Sequence, residues 1–198
     1  VKVQDYGLSD EHKLIRQTVR EFAEKEIKPV APELDEKEEF SVELTQKMGE
    51  LGLFGIYVDG KYGGHGMDNL AYAIALEEIA RVDGSQAATV TAQNSLGISP
   101  IYKYGTEEQK HKYLPKLCSG GALWGFGLTE PDAGSDSRGT KTKAKKVGDK
   151  WVINGSKIFI TNASSPISAG VTAQTVTGTR PDGKPEFTCF LVETGTPG

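Results

Sequence analysis

Between Trp124 and Asn162 the chain reads WGFGLTEPDAGSDSRGTKTKAKKVGDKWVINGSKIFITN, and its chemistry-bearing residues are small, hydroxylic or aromatic. Trp124–Thr129 is an apolar and small-residue run that reads as a strand. It breaks at Glu130-Pro131, because proline cannot donate to a sheet ladder. The backbone N–H groups of Leu128 and Thr129 and the Thr129 hydroxyl stand at that break. They are fixed donors of the kind that stabilise negative charge as it develops. Gly134-Ser135 follow in a turn-rich loop, Asp132–Asp136, where small side chains let backbone amides approach an anion such as a pyrophosphate. Further on, Phe159, Ile160 and Thr161 bring a ring and a hydroxyl onto one short apolar run. Each group also has a plain reading: PDAGSD as a turn, Phe159 and Thr161 as residues of a β core.

Other chemistries find little support. His12, His65, His111, Cys118 and Cys189 show no metal-ligand spacing, and no Ser-His-Asp arrangement can be assembled. The Gly134-Ser135 loop is not a GxGxxG fingerprint, since no helix or βαβ unit follows it. Glu77, Glu78 and Glu130 invite a general-base role, but nothing matches them to one, and Glu130 reads as a loop carboxylate. His65, alone among glycines, reads as an exposed turn residue. The run Asp35–Glu39 reads as a solvated linker rather than a metal site.

Composition narrows the field. The chain has 198 residues, 37% hydrophobic and 25% charged, which suits one large or two small globular domains. A net charge of −4 argues against nucleic acid or an anionic membrane as partner. Two cysteines make no disulfide framework and fit a reducing compartment. No run approaches the ~20 apolar residues of a membrane span. The opening VKVQDYGLSDEHK has no apolar core, so no signal peptide is expected.

These residues need elements to hold them. Helical periodicity predicts an amphipathic helix over residues 10–28, capped by Ser9 and ended by Pro29 and Pro32. Further helices are expected from Ser41, from Asp68, over residues 85–97 until Pro100 interrupts, and from Thr106 to Gly120-Gly121. After Ala122, Thr, Val, Ile and Phe rise and the period of 3.6 is lost. Strands are expected over residues 141–147, 151–153, 158–161, 171–177 and 187–192. Asn154-Gly155 is the expected hairpin turn, because a type I′ turn needs positive φ at both central residues. Pro181-Asp182-Gly183 is a second turn.

LTEPDAGSD followed by NGSKIFITN resembles the flavin-contacting core of the acyl-CoA dehydrogenases. GLFGIYVDGKYGGHGMDN, IALEEIARVDG, NSLG and YGTEEQKHKYLPKLCSGG are similar to that family's N-terminal helical domain, in the family's order. The resemblance covers nearly the whole chain. It implies an α+β fold: an all-α helical bundle domain over residues 1–122, then an antiparallel β-barrel domain over 123–198, incomplete and without the family's C-terminal helical domain. It implies FAD as cofactor, contacted by Phe126, Gly127, Leu128, Thr129, Gly134, Ser135, Phe159, Ile160 and Thr161. Ser135 would also touch the acyl-CoA, and Thr161 would donate toward flavin N5. Phe159 stands where some members carry tryptophan; the ring still packs but loses an indole N–H. The helix of residues 85–97 would line the acyl pocket, with Thr89, Thr91, Gln93, Asn94 and Ser95 either tuning it or serving ordinary helix contacts.

The implied reaction is α,β-dehydrogenation of an acyl-CoA thioester to the trans-2-enoyl-CoA, with hydride passing to flavin N5, as in fatty acid metabolism. The family's glutamate base lies in the C-terminal bundle, so no catalytic residue is expected here, and this length of chain alone is expected to be inactive. Implied partners are the acyl-CoA substrate, an electron-transfer flavoprotein as acceptor, and further copies in a homotetramer, in the cytoplasm or the mitochondrial matrix. The alternatives are a related flavoenzyme of the same fold, an acyl-CoA oxidase or a flavin monooxygenase, or a non-catalytic binding module that keeps the fold.

Overall fold

In the structure, a computed structural model that describes residues 7–198, the chain forms two compact units divided between Ala122 and Leu123. The reading of the first six residues as free of a signal segment lies outside the described residues.

The first unit is helical. Ser9 caps α1, Asp10–Phe22: its hydroxyl accepts from the His12 amide at 3.2 Å, and Asp10 and Glu11 place negative charge on the first turn. The helix widens into a π turn over Ala23–Ile27, which leaves Ala23 and Ile27 fully buried beside Val19. Helix α2, Ala31–Lys37, corrects the linker expected at residues 35–39. Pro32 sits in its first turn, where fixed φ favours a helix, and Glu38 ends it in the left-handed region at φ 54°. It buries no residue. Helix α3, Val42–Glu50, is capped by Ser41 and buries Leu44 and Met48.

Helix α4, Asn69–Ala80, is capped by Asp68, which accepts from the Ala71 amide at 2.8 Å. It locks to α1 through Glu78, 1% exposed, which takes two hydrogen bonds from the Arg20 guanidinium at 2.7 and 2.8 Å. Helix α5, Gly84–Ala92, runs without a break through a π segment, Gln93–Ile98, into α6, Ser99–Tyr104. Pro100 therefore does not interrupt; it lies in the first turn of α6. The wider π turns just upstream absorb the missing N–H and the bulk of the ring. Helix α7, Glu107–Cys118, opens on a capping box between Thr106 and Gln109. Among the described residues no helix is long and apolar enough to cross a membrane.

The second unit is a five-stranded mixed sheet, so the α+β class holds, but the antiparallel barrel does not describe this sheet. Strand β4, Ser168–Thr179, is its spine. It pairs antiparallel with β5, Pro185–Glu193, along one side. On the other side it pairs parallel with β1, Leu123–Gly127, and at Lys143↔Val176 with β2, Lys143–Val147. β3, Lys150–Asn154, pairs antiparallel with β2, and among the described residues nothing closes the sheet on itself. The parallel pairing of β1 with β4 follows from the long excursion between them, which brings the chain back in its original direction.

Two local expectations fail for identifiable reasons. The hairpin turns at Gly148-Asp149, with Val147 opposite Lys150 and Gly148 at φ 63°, so this dipeptide and not Asn154-Gly155 is the two-residue loop. Gly155 instead passes Thr142 so closely that a Cβ would stand 2.3 Å from the Thr142 hydroxyl. Residues 158–161 form no strand, because Phe159 at φ 57° and Asn162 at φ 71° bend the backbone out of the β region. The core is anchored by Trp124, fully buried, whose indole N–H donates to the Thr172 hydroxyl at 3.0 Å.

Candidate functional site

The candidate residues of the second unit gather around the end of β1. Gly125 and Gly127 make the strand thin on one side. A Cβ at Gly125 would meet Ile160 Cγ2 at 3.0 Å, and one at Gly127 would meet Lys157 Cγ at 3.3 Å. The segment 157–161 can therefore lie directly against β1, and the Ile158 amide donates to the Thr129 carbonyl at 3.0 Å. Thr129 and the Phe159–Thr161 run, 30 residues apart in sequence, are thus brought side by side.

The donors differ in availability. The Leu128 amide is engaged with the Phe126 carbonyl at 3.1 Å. The Thr129 amide and hydroxyl, the Gly134 and Ser135 amides and the Ser135 hydroxyl make no hydrogen bond among the described residues. Gly134 and Ser135 are exposed, and a Cβ at Gly134 would meet nothing within 4 Å. Phe126 and Ile160 are half-buried, Gly127 is buried and Thr161 is exposed. Phe159 presents its ring at 89% exposure from a left-handed backbone, an unfavourable arrangement for a bulky apolar residue. Next to Thr161, Asn162 is buried with its side-chain nitrogen unpartnered.

One buried ion pair underlies the loop. Lys157 Nζ donates to the Leu128 carbonyl at 3.1 Å and to Glu130 Oε1 at 2.7 Å. Glu130 also accepts from the amides of Lys141 at 2.7 Å and Thr142 at 3.1 Å. Burial pushes the Glu130 carboxyl up, but Lys157 and the Lys141 and Thr142 donors outweigh it and hold the group at about 2. A carboxylate so acidic is a poor proton acceptor at neutral pH. Lys157 and Asn162 carry no role in a reading by residue type; their only signal was membership of the NGSKIFITN run.

The remaining candidates are structurally committed. Glu78 is held by Arg20, and Glu77 pairs with Arg16 at 3.3 Å. His65 is exposed and stands beside Gly52. Burial raises the Cys118 thiol to about 12. Among the described residues no group of three or more His, Cys, Asp or Glu could hold a metal ion.

The polar members of the α5–π segment are engaged as well. Thr89, Thr91 and Ser95 hydroxyls bond back to carbonyls one turn earlier. Gln93 donates to the Leu117 and Ala122 carbonyls, each at 3.1 Å. Asn94 donates to the Leu53 carbonyl at 2.8 Å and accepts from the Gly55 amide at 2.9 Å.

Comparison with known proteins matches residues 9–121 to the N-terminal domain and residues 125–198 to the middle domain of acyl-CoA dehydrogenase. A probable acyl-CoA dehydrogenase of Bacillus subtilis, YngJ, is 49% identical over 194 residues, which are 98% of this chain and 50% of that protein. A short-chain-specific acyl-CoA dehydrogenase of Clostridium acetobutylicum is 46% identical over 98% of this chain and 50% of its own length. Among solved structures, a glutaryl-CoA dehydrogenase from Mycobacterium smegmatis in complex with FADH2 superimposes with a TM-score of 0.91 at 36% identity, covering 98% of this chain and 48% of that one. The chain thus spans about half the length of the proteins it matches.

Proposed function

The chain belongs to the acyl-CoA dehydrogenase family, and from that premise we propose that it forms part of an FAD-dependent oxidoreductase. The reaction proposed is conversion of an acyl-CoA thioester to its trans-2-enoyl-CoA. The observation that carries the reading is the juxtaposition at the end of β1, where the Ile158 amide bonds the Thr129 carbonyl and so sets the Phe159–Thr161 run beside Thr129, while the Thr129 amide and hydroxyl are unspent.

The residues present fit a flavin dinucleotide. Gly134 and Ser135 offer unpartnered amides on an exposed loop, suited to a pyrophosphate. Phe159 offers an exposed ring, and the side-chain nitrogen of the buried Asn162 lacks a partner. When bound, FAD supplies the hydride acceptor at N5. Around it, Thr129 rather than Leu128 provides the free backbone amide, together with its hydroxyl. Phe126, Gly127 and Leu128 line the approach, Phe159 and Ile160 exclude water, and Thr161 offers a hydroxyl toward N5. Ser135 is assigned a second contact, to the acyl-CoA.

No base is assigned to these residues, since Glu77, Glu78 and Glu130 are each committed to cations or amides. The further assignments are an electron-transfer flavoprotein as acceptor, a homotetramer, and the cytoplasm or mitochondrial matrix as compartment. Given the short-chain relative, a short-chain acyl group is the first substrate to test.

The test uses the full-length protein. It should purify with a flavin absorbance, and anaerobic addition of butyryl-CoA should bleach that band and yield the trans-2-enoyl product. A colourless protein that takes up no FAD, or a yellow one that no acyl-CoA bleaches, would overturn the proposal. Rapid reoxidation by O₂ after bleaching would point instead to an oxidase.

A further inference from the structure

The Lys157–Glu130 pair has no part in the contacts just assigned, yet it joins the β1 exit to the segment that follows residue 156. Both side chains are sequestered: 13% of Lys157 and 4% of Glu130 remains exposed. The aliphatic stem of Lys157 crosses β1 at Gly127, where any side chain would crowd it. Its ammonium then reaches the Leu128 carbonyl and the Glu130 carboxylate. The next amide along, that of Ile158, takes the Thr129 carbonyl. Three consecutive residues at the β1 exit are therefore tied to two consecutive residues of the following segment. The same carboxylate holds the amides of Lys141 and Thr142 at the entry to β2.

General stability is a poor reason for burying such a pair. Desolvating two charges costs about as much as their attraction returns, and a packed apolar pair often does as well. What the pair adds is direction. Ammonium and carboxylate fix several backbone groups at set distances, which an apolar contact cannot do.

We propose that Lys157 and Glu130 are positioning residues for the cofactor site: they hold the Leu128–Thr129 exit and the Phe159–Thr161 segment at one fixed spacing, so that both can meet the same ligand. This inference rests on the FAD reading above.

The experiment compares full-length wild type with Lys157→Met, Lys157→Arg and, as a control, Lys47→Met. Lys47 is a cation of the first unit that pairs with Glu26 and Glu43. Lys157→Met keeps the stem and removes charge and donors. It is expected to weaken FAD binding by about tenfold or more, as when a buried partner is left unpaired, and to shift the visible flavin band. In the apoprotein it should speed amide hydrogen exchange in residues 128–135 and 158–162 while the rest of the chain keeps wild-type rates. Lys157→Arg, which preserves charge and donors, should recover most of the affinity and the wild-type spectrum. The control should alter neither.

Wild-type FAD affinity and spectrum in Lys157→Met would overturn the proposal. So would a uniform rise in exchange across the second unit, or failure of the arginine variant to recover any affinity, since either marks a merely structural pair. The exchange comparison needs no FAD. A wild-type protein that takes up none therefore sinks the functional reading separately, while unchanged exchange in the two segments sinks the positioning role by itself.

Discussion

Glu130 is the residue whose chemistry is most changed by where it sits. A carboxylate 5% exposed should be raised by desolvation; instead Lys157 and the Lys141 and Thr142 amides hold it at about 2. A carboxyl lowered on folding stabilises the fold fully above its unfolded value, and that contribution fades as pH falls toward the folded one. Glu130→Gln is therefore expected to lose roughly 2–4 kcal/mol at pH 7, a figure that follows from the size of the shift. The gap between wild type and variant should narrow as pH falls from about 4.5 toward 2. Urea titrations followed by tryptophan fluorescence at several pH values would measure it. A gap that stays constant with pH would mean that the lost packing, not the charge, matters. The residue types were legible beforehand: Thr129, Gly134, Ser135, Phe159 and Thr161 stand out in the sequence as donors, small residues and a ring. The pairing of Glu130 with Lys157 was not, because an ion pair 27 residues apart leaves no periodic trace. Nor was the engagement of the Leu128 amide, which depends on how sharply the chain turns after β1.

At the scale of elements, periodicity marks most helices and strands, and sequence and structure part where two local rules compete. Gly148-Asp149 and Asn154-Gly155 both carry turn residues between strand-like runs. The first makes the hairpin because Val147 and Lys150 then pair, leaving Gly155 to pass Thr142 at close range. The two glycines should respond differently to a methyl group. Gly148 sits at φ 63° with open space around it, so Gly148→Ala should cost only the left-handed penalty of about 1 kcal/mol. Gly155→Ala puts a Cβ 2.6 Å from the Thr142 Cβ and 2.7 Å from its Cα, and should cost about 3 kcal/mol or more as the backbone shifts. Equal costs in chemical denaturation would show that Gly155 is not confined by Thr142. Pro100 teaches a related lesson: proline reads as a stop, but a π segment upstream let α5 and α6 run on as one rod. The bend at Phe159 leaves no mark in the sequence, because IFIT is as good a strand by propensity as any in the chain and the bend belongs to its packing against Gly125 of β1.

At the scale of the whole molecule, the contrast between a helical and a stranded unit follows from the change of hydrophobic period after Ala122, and it provides two independent probes. All helices among the described residues lie in the first unit, so ellipticity at 222 nm reports it. Both tryptophans of the chain, Trp124 and Trp151, lie in the second, so their fluorescence reports that unit alone. Met48, fully buried, offers a core truncation in the first unit, and Met48→Ala should cost about 2–5 kcal/mol. Thr172→Val removes the hydroxyl that accepts from the Trp124 indole N–H and should cost about 1 kcal/mol in the second unit. If each unit is stabilised by its own core, Met48→Ala lowers the midpoint seen by ellipticity and Thr172→Val the midpoint seen by fluorescence. If both variants move both midpoints equally, the chain unfolds as one cooperative block, and the division into two units describes its geometry but not its energetics.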